Sequence, residues 1–184
     1  MSAVAANCEW IVCVDWRHVA VQYPEVLLAA VFVTAFAESL AFVGIVVPGV
    51  ALLLVLSGVA LWAEIPPWPL VLVAFLGALV GDVLSFWIGA VRKDRLWRSS
   101  LLSRYEALRQ RGMRFVLRWG IVSVVFGRFV GPFRPLVPVV VGSMGMPLSR
   151  FMVIDVFACA VWAPVYVLPG YSLGSLMQAL EKLF

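Results

Sequence analysis

The sequence predicts an all-α integral membrane protein, built as an inverted repeat of two opposed re-entrant helical hairpins with transmembrane helices and a cytoplasmic amphipathic helix. Three observations predict this class. The 184 residues are 64% hydrophobic and 13% charged, whereas soluble domains contain about 25% charged residues. The apolar residues fall into four long segments, and two of these are interrupted by glycine and proline at similar places. This composition excludes a disordered chain, a nucleic-acid-binding arm and an ordinary soluble enzyme, and the length suits one domain.

Residues 1–25 form a lead-in before the apolar segments. They carry Glu9, Asp15, Arg17 and Glu25, and they lack the basic start followed by an apolar stretch that marks a cleavable signal. We therefore expect this lead-in to be polar or interfacial.

Groups for metal or covalent chemistry are scarce. The cysteines and the histidine are too few and too scattered for a disulfide framework or a metal cluster. They are Cys8, Cys13, Cys159 and His18. A Ser-His-Asp set and a phosphate-cradling glycine loop are also missing from the sequence, so we expect no metal, no cofactor and no enzyme activity.

Residues 26–63 are uncharged apart from Glu38. As one helix they would be about 57 Å long at 1.5 Å per residue, nearly twice the roughly 30 Å of a bilayer core. Pro48-Gly49 lies near the middle of the segment, where it would break a helix. We therefore predict a first re-entrant hairpin with its break at Pro48-Gly49.

Residues 68–91 form an apolar span with Asp82 as the single charge, which predicts a transmembrane helix. One face carries small residues at four-residue spacing, a pattern that lets a neighbouring helix approach closely. They are Gly77, Gly81, Ser85 and Gly89. We interpret this face as a packing surface.

Residues 92–118 contain nine basic and two acidic residues, so this segment carries +7 while the whole chain carries +4. Short loops rich in Lys and Arg stay in the cytoplasm, and large side chains at helical spacing indicate an amphipathic helix on anionic lipid. We therefore predict a cytoplasmic basic segment and favour it over the alternative, a nucleic-acid-binding patch.

Residues 119–149 are the second interrupted segment. Pro132, Pro135 and Pro138 follow one another at three-residue spacing, which no continuous helix accepts. Gly131-Pro132 corresponds to the break of the first hairpin, and paired interruptions of this kind indicate an inverted repeat. We predict a second re-entrant hairpin that enters from the cytoplasm, opposite to the first, with both breaks near the bilayer midplane.

Residues 151–180 form the last apolar stretch. We predict a transmembrane segment with breaks at Pro164 and at Pro169-Gly170, and with Asp155 as its single charge.

Five charged residues lie inside the apolar segments, where each would cost about 2.5–3.5 kcal/mol at a helix centre. They are Glu38, Asp82, Arg128, Arg134 and Asp155. Such residues could pair to hold the helices together, or they could form a polar site. For the two inner aspartates the sequence favours neither interpretation, and for the two arginines it favours a site.

Arg128 and Arg134 flank Gly131-Pro132, where the helix is already broken. A guanidinium offers a planar fork that matches phosphate oxygens, and a broken helix exposes backbone N–H groups that attract anions. Two fixed positive groups of this kind inside a membrane indicate a phosphate carried on a lipid, with a soluble anion as the alternative.

A series of short motifs runs between residues 26 and 176. They are Phe36-Ala37-Glu38-Ser39-Leu40, Val47-Pro48-Gly49, Gly81-Asp82, Phe86-Trp87-Ile88-Gly89, Gly127-Arg128-Phe129-Val130-Gly131-Pro132-Phe133-Arg134-Pro135, Gly142, Met146-Pro147-Leu148-Ser149-Arg150-Phe151 and Gly170-Tyr171. In this order they resemble the DedA family of bacterial inner-membrane proteins, which share a domain with lipid scramblases of the eukaryotic endoplasmic reticulum.

The resemblance implies two re-entrant hairpins and transbilayer movement of a lipid, with undecaprenyl phosphate or a phospholipid such as phosphatidylethanolamine as the cargo. Several family members depend on the proton gradient. By motif, Glu38 resembles the family's first membrane acid and Asp82 resembles the acid of its Gly-Asp motif. Arg128 and Arg134 resemble its two essential arginines.

Two positions depart from the family pattern. Val50 stands where many members carry a second acid, and Asp155 stands where many carry asparagine. We therefore expect Glu38 to be the principal protonatable group, with Asp155 as its candidate partner if transport is coupled to protons. The chain also ends at Phe184, where many members continue through a further apolar helix.

Three functional hypotheses follow. The first is flipping or scrambling of a phosphate-bearing lipid, with membrane lipids and protons as partners. The alternative is a proton-coupled transporter of a soluble ion or cationic compound, in which the acids would be primary and the arginines structural. The third is a membrane scaffold without transport. We expect no nucleic-acid partner, and homo-oligomerisation stays open.

Overall fold

The computed structural model describes residues 22–41, 43–44, 48–97 and 134–181, together with six single positions. The single positions are Gln110, Arg111, Arg114, Arg118, Val125 and Arg128. Within this part of the chain the structure is helical and contains no strand, as the all-α prediction requires. Five helices are described: α1 (Pro24–Ser39), α2 (Gly49–Trp62), α3 (Pro67–Trp97), α4 (Leu136–Ser143) and α5 (Leu148–Glu181). α1, α4 and α5 all pack on α3, and α2 packs mainly on α5.

α3 and α5 are the long helices, and both are long and apolar enough to cross a membrane. The apolar part of α3 covers 25 residues, Pro67–Val91, and that of α5 covers 29 residues, Leu148–Leu176. At 1.5 Å per residue these stretches are about 37 and 43 Å long, which exceeds the roughly 30 Å of a bilayer core. Each of the two segments predicted to cross the membrane therefore forms a helix that is long and apolar enough to do so.

Large apolar side chains cover the outside of these two helices, while charged side chains lie inside. Trp68 is 67% exposed and Phe157 is 69% exposed, although both are large apolar residues. They belong to two stripes, formed by Trp68, Leu72, Leu76, Val80, Leu84, Trp87 and Val91 on α3 and by Val153, Phe157, Val161, Val165 and Leu168 on α5. This is the reverse of the usual arrangement in water, and it suits a protein surrounded by hydrocarbon.

The breaks that we expected in the last segment are absent, and that prediction is wrong. α5 runs through Pro164 and Pro169 without interruption. A proline removes one backbone N–H and crowds the carbonyl four residues earlier, but membrane helices tolerate this where neighbouring helices enclose them. Here Gly170 brings the α5 backbone so close to α2 that a Cβ would overlap the carbonyl oxygen of Leu54. α5 therefore packs closely against α2 directly after Pro169.

The first apolar segment divides into α1 and α2. Pro48 precedes α2, so the predicted break at Pro48-Gly49 coincides with a helix start. α1 has 16 residues and α2 has 14, or about 24 and 21 Å, so neither reaches the roughly 30 Å of a bilayer core. Whether the pair re-enters from one face stays a prediction.

α4 is the one described helix of the second interrupted segment. It begins directly after Pro135, and Pro138 lies in its first turn, where backbone N–H groups have no partner within the helix. Seven of its eight residues are buried. Gly131-Pro132 lies outside the described residues, as do the lead-in up to residue 21 and most of the basic segment, so the predictions made for them stand untested.

The small-residue face of α3 is a packing surface, as predicted. A Cβ at Gly81 would overlap Ser39 of α1, and a Cβ at Gly89 would overlap the carbonyl of Val139 in α4. Between them, the Ser85 hydroxyl accepts a hydrogen bond from the backbone N–H of Ala41 at 2.9 Å. These contacts hold the end of α1 and the start of α4 against the middle of α3, where the charged residues meet.

Candidate functional site

The structure brings all five membrane charges into one buried cluster. Glu38 lies at the end of α1, Asp82 in the middle of α3 and Asp155 in the second turn of α5, while Arg128 and Arg134 precede α4. Each of the five is between 1% and 6% exposed. The sequence left the two aspartates undecided, and the structure places both beside an arginine.

Arg134 forms a salt bridge with Glu38 through its Nη1. Its other terminal nitrogen lies 3.4 Å from the hydroxyl of Ser39, the next residue of α1. Gly49 makes room for this pair, because a Cβ there would overlap the Glu38 side chain. The glycine of the first predicted break therefore touches the acid that the sequence singled out.

Arg128 pairs with two carboxylates from different helices. Its Nη1 donates to Asp155 Oδ1 at 2.6 Å, and its Nη2 forms a salt bridge with Asp82. Cys159 lies one turn further along α5, with its Sγ 3.8 Å from Asp155 Oδ2. Arg128 thus joins α3 to α5 through their inner faces.

Three side chains of the cluster region place potential metal-ligand atoms close together. The ligand atoms of Asp82, Asp155 and Cys159 lie within 4.8 Å of one another. Arg128 already pairs with both carboxylates, so the protein supplies the positive charge at this position itself.

Trp162 joins the cluster, and the sequence analysis missed it. Its ring is fully buried, and the Arg134 Cζ lies 3.9 Å from the ring centroid while the Arg128 Cζ lies 5.7 Å away. The available signal was helical spacing, because residues 155, 159 and 162 fall on one face of α5. That signal alone does not separate a site residue from a core tryptophan.

The cluster contains two cations and three carboxylates, so it carries a charge of −1 when every group is ionised. Not all of its hydrogen-bonding atoms are satisfied within the described part of the chain. Glu38 Oε2 and the Nε atoms of both arginines are buried and have no hydrogen-bond partner there. The site therefore keeps unused donors on its positive groups.

The cluster lies within the apolar length of both long helices. Asp82 is nine residues before Val91, the end of the apolar part of α3, which corresponds to about 14 Å along the helix. Trp162 lies at the midpoint of the apolar part of α5, Leu148–Leu176. The charged groups are therefore surrounded by helix surface that suits hydrocarbon.

Comparison with known proteins points to one family. The family model described as the VTT domain matches residues 47–172. The chain is 37% identical to the inner membrane protein YabI of Escherichia coli K12, over 86% of this chain and 63% of that protein. It is 33% identical to an uncharacterized membrane protein, BU139, of Buchnera aphidicola, over 84% of this chain and 60% of that one.

It is also 29% identical to the inner membrane protein YqjA of E. coli K12, over 80% of this chain and 68% of that protein. The chain thus spans somewhat less than two thirds of the length of the first two relatives. No solved structure matches it.

Proposed function

Because the chain belongs to the VTT-domain family of membrane proteins, the DedA family, we propose that it flips or scrambles a phosphate-bearing lipid in a bacterial inner membrane. The candidate cargoes are undecaprenyl phosphate and phospholipids such as phosphatidylethanolamine. The observation that carries this proposal is the pair of buried guanidinium groups of Arg128 and Arg134, which lie amid apolar helices and have Nε–H donors without an acceptor among the described residues. Movement of a lipid makes or breaks no covalent bond, so the proposed protein is a transporter and not an enzyme.

We propose that the two interrupted segments are opposed re-entrant hairpins related as an inverted repeat. α1 and α2 are each too short to span a bilayer core and pack on each other, which supports the first hairpin. α4 is enclosed on nearly all sides, which supports the second, since backbone irregularities at membrane depth survive only inside protein or beside water. The basic segment 92–118 would then lie in the cytoplasm.

The charge of the cluster supports coupling to protons. With all five groups ionised the charge is −1, and an entering monoanionic phosphate would make it −2. Uncompensated charge in a low-dielectric site costs several kcal/mol, so the complex becomes neutral only after two carboxylates have taken up protons. In this mechanism phosphate binding and proton uptake accompany each other.

Glu38 is the acid best placed to take the first proton. It is the only carboxylate paired with Arg134 among the described residues, and its Oε2 has no hydrogen-bond partner there. A protonated Glu38 would release the guanidinium to the phosphate. Many members of the DedA family carry a second acid at the position that Val50 occupies here, next to Gly49. Because valine cannot take up a proton, Asp155 is the candidate for the second proton.

An apolar groove supports a lipid over a soluble anion. It lies between α3 and α5, has a volume of about 490 Å³, and is lined by residues that include Trp68, Phe75, Ala163 and Leu168. Ala163 directly follows Trp162, which touches the arginines. A hydrocarbon tail in this groove would leave its head group close to the charged cluster.

The excess of carboxylates favours one alternative. A cluster of charge −1 would attract a cation, so a proton-coupled transporter of a cationic compound is the second candidate function. In that mechanism the arginines would space the acids and would not touch the cargo.

Reconstitution into liposomes tests the proposal. The native protein should move fluorescent phosphatidylethanolamine, fluorescent polyprenyl phosphate, or both, and Arg134→Ala should abolish this movement. Arg150→Ala is the matched control, because Arg150 is exposed at the start of α5, and it should move lipid at the native rate. Uptake of a cationic dye without movement of either lipid would reject the lipid proposal in favour of the second candidate.

A further inference from the structure

Trp162 has no role in the mechanism proposed so far, yet it touches both of its arginines. Its side chain is fully buried on the inner face of α5, and its ring faces Arg134 and Arg128 at the distances given above. A guanidinium within about 6 Å of an indole ring is attracted by the ring electrons, and more strongly when both groups are away from water. One ring therefore holds both cations of the site.

The indole N–H of Trp162 is buried and has no acceptor within the described part of the chain. A buried tryptophan usually finds a partner for this group. The Nε–H groups of Arg128 and Arg134 are also buried and have no acceptor among the described residues. Three donors without an acceptor in the described part of the chain thus surround one aromatic ring. They complement a ligand with several acceptor oxygens, as a phosphate has.

We propose that Trp162 completes the head-group site: its ring face positions the two guanidinium groups, and its indole N–H donates a hydrogen bond to the phosphate. This inference rests on the lipid-phosphate function proposed above.

The indole N–H of Trp162 differs from the arginine donors in its availability to the phosphate. Arg134 must leave one carboxylate and Arg128 two before they can bind phosphate fully, whereas the neutral indole N–H has no acceptor to give up among the described residues. It is therefore available whatever the protonation state of the three acids.

Two substitutions separate the two roles of the residue. Trp162→Phe keeps an aromatic face for the cations and removes the N–H, while Trp162→Leu removes both. Trp87→Phe is the matched control, because Trp87 lies on α3 and is 59% exposed on the apolar outer surface. Binding of undecaprenyl phosphate and of undecaprenol, the same lipid without phosphate, is measured on the purified full chain in detergent.

A hydrogen bond to a charged group contributes enough to change affinity about tenfold or more. We expect Trp162→Phe to bind undecaprenyl phosphate about tenfold more weakly while its affinity for undecaprenol stays native. Trp162→Leu should lose more affinity for the phosphate and should move it more slowly in liposomes. Trp87→Phe should match the native protein with both lipids.

Native affinity for the phosphate in Trp162→Phe would overturn the donor role. An equal loss for the phosphate and the free alcohol would show that the residue only supports the fold, which also overturns the proposal. If Trp162→Leu does not fold, the Phe variant decides. A failure of the proposed function looks different, since the native protein itself would then neither prefer undecaprenyl phosphate to undecaprenol nor move it in liposomes.

Discussion

Arg128 and Arg134 carry the same charge in different surroundings. Arg128 pairs with carboxylates of α3 and α5, whereas Arg134 pairs with Glu38 and stacks on Trp162. An arriving phosphate has to displace one carboxylate from Arg134 and two from Arg128. We therefore expect Arg134 to exchange partners during transport, and Arg128 to hold the two long helices together.

Replacement of Arg134 should affect transport more than folding. Arg134→Ala is expected to abolish lipid movement while the protein still folds and inserts, and Arg134→Lys should move lipid about tenfold more slowly than the native protein, because an ammonium lacks the planar fork that binds two phosphate oxygens. The rate is measured in liposomes with a fluorescent lipid, with Arg150→Ala as the control. A native rate in Arg134→Lys would mean that a positive potential is sufficient and that bidentate binding is not required.

Replacement of Arg128 should affect folding more. Arg128→Ala leaves Asp82 and Asp155 buried without their cation, and breaking a buried pair in this way costs about 3–5 kcal/mol. We expect its thermal unfolding temperature in detergent to fall further than that of Arg134→Ala. Adding Asp155→Asn to Arg128→Ala should restore part of the loss, since one buried charge disappears. Equal unfolding temperatures for the two alanine variants would contradict the division of roles.

The carboxylates of the charged cluster should make transport depend on pH. If two carboxylates must take up protons before phosphate binds, the native rate should fall as pH rises. Asp155→Asn removes one negative charge, so one proton fewer is needed and the fall should move to higher pH. Glu38→Gln should stop transport, because a neutral side chain cannot regain the negative charge that takes Arg134 back from the phosphate and lets the lipid leave. An unchanged pH profile in Asp155→Asn would remove Asp155 from the mechanism, and full activity in Glu38→Gln would remove Glu38.

At the scale of the helices, α3 is the element that assembles the site. Its small residues let α1 and α4 approach within backbone contact, at Gly81 and Gly89 respectively. This contact sets the distance between Glu38, at the end of α1, and Arg134, just before α4. α5 completes the site from the other side, with Asp155, Cys159 and Trp162 on one face.

A methyl group at the contact with α4 should be costly. In Gly89→Ala the new Cβ would overlap the backbone of Val139, which cannot move aside as a flexible side chain could. Overpacking of this kind costs about 1–3 kcal/mol, so we expect a lower unfolding temperature in detergent. Gly58→Ala is the matched control, because its Cβ would lie 3.5 Å from the nearest atom, Gly170 O. Similar losses in both variants would show that close approach at Gly89 is not what stabilises the packing.

At the scale of the whole molecule, the arrangement of polar and apolar groups is inverted relative to a soluble protein. Five charged side chains are buried, and large apolar side chains cover the outer faces of the two long helices. In water this distribution would expose apolar surface and bury charge, both at a cost in free energy. In hydrocarbon the outer surface is favourable, and the remaining cost of the buried charges is reduced by their mutual pairing.

The two-hairpin arrangement predicts the sidedness of the loops. If α1 and α2 re-enter from one face, single cysteines at Glu25 and Glu64 should both react with an impermeant thiol reagent from the face opposite the basic segment. A cysteine at Arg111 or Gly145 should react only from the cytoplasmic face. The experiment uses a background in which the native cysteines are replaced, in oriented membrane vesicles. Labelling of positions 25 and 64 from opposite faces would instead mean that residues 26–63 cross the membrane as a whole.

The sequence by itself determined the class of protein and most of its parts. Hydropathy, helix length and charge are local properties, so they located the long helices around residues 68–91 and 151–180 and the helix start after Pro48. They also identified all five charged residues, since a charge in an apolar segment is conspicuous wherever it lies. The order of the motifs also indicated the family to which the chain belongs.

Only the tertiary structure decided which groups meet. Arg134 pairs with Glu38, and Arg128 pairs with two aspartates, because α1, α4 and α5 approach α3 closely. The distances between these helices cannot be predicted from local sequence patterns. The same dependence explains the two errors. Trp162 resembles any core tryptophan in the sequence, and only the structure places the arginines against its ring. Pro164 and Pro169 resemble helix breaks in the sequence, but α5 stays helical through both and packs closely on α2 at Gly170. Local sequence specifies the chemical groups, but the free energy of a buried charge or a proline is set by its neighbours, which come from distant parts of the chain.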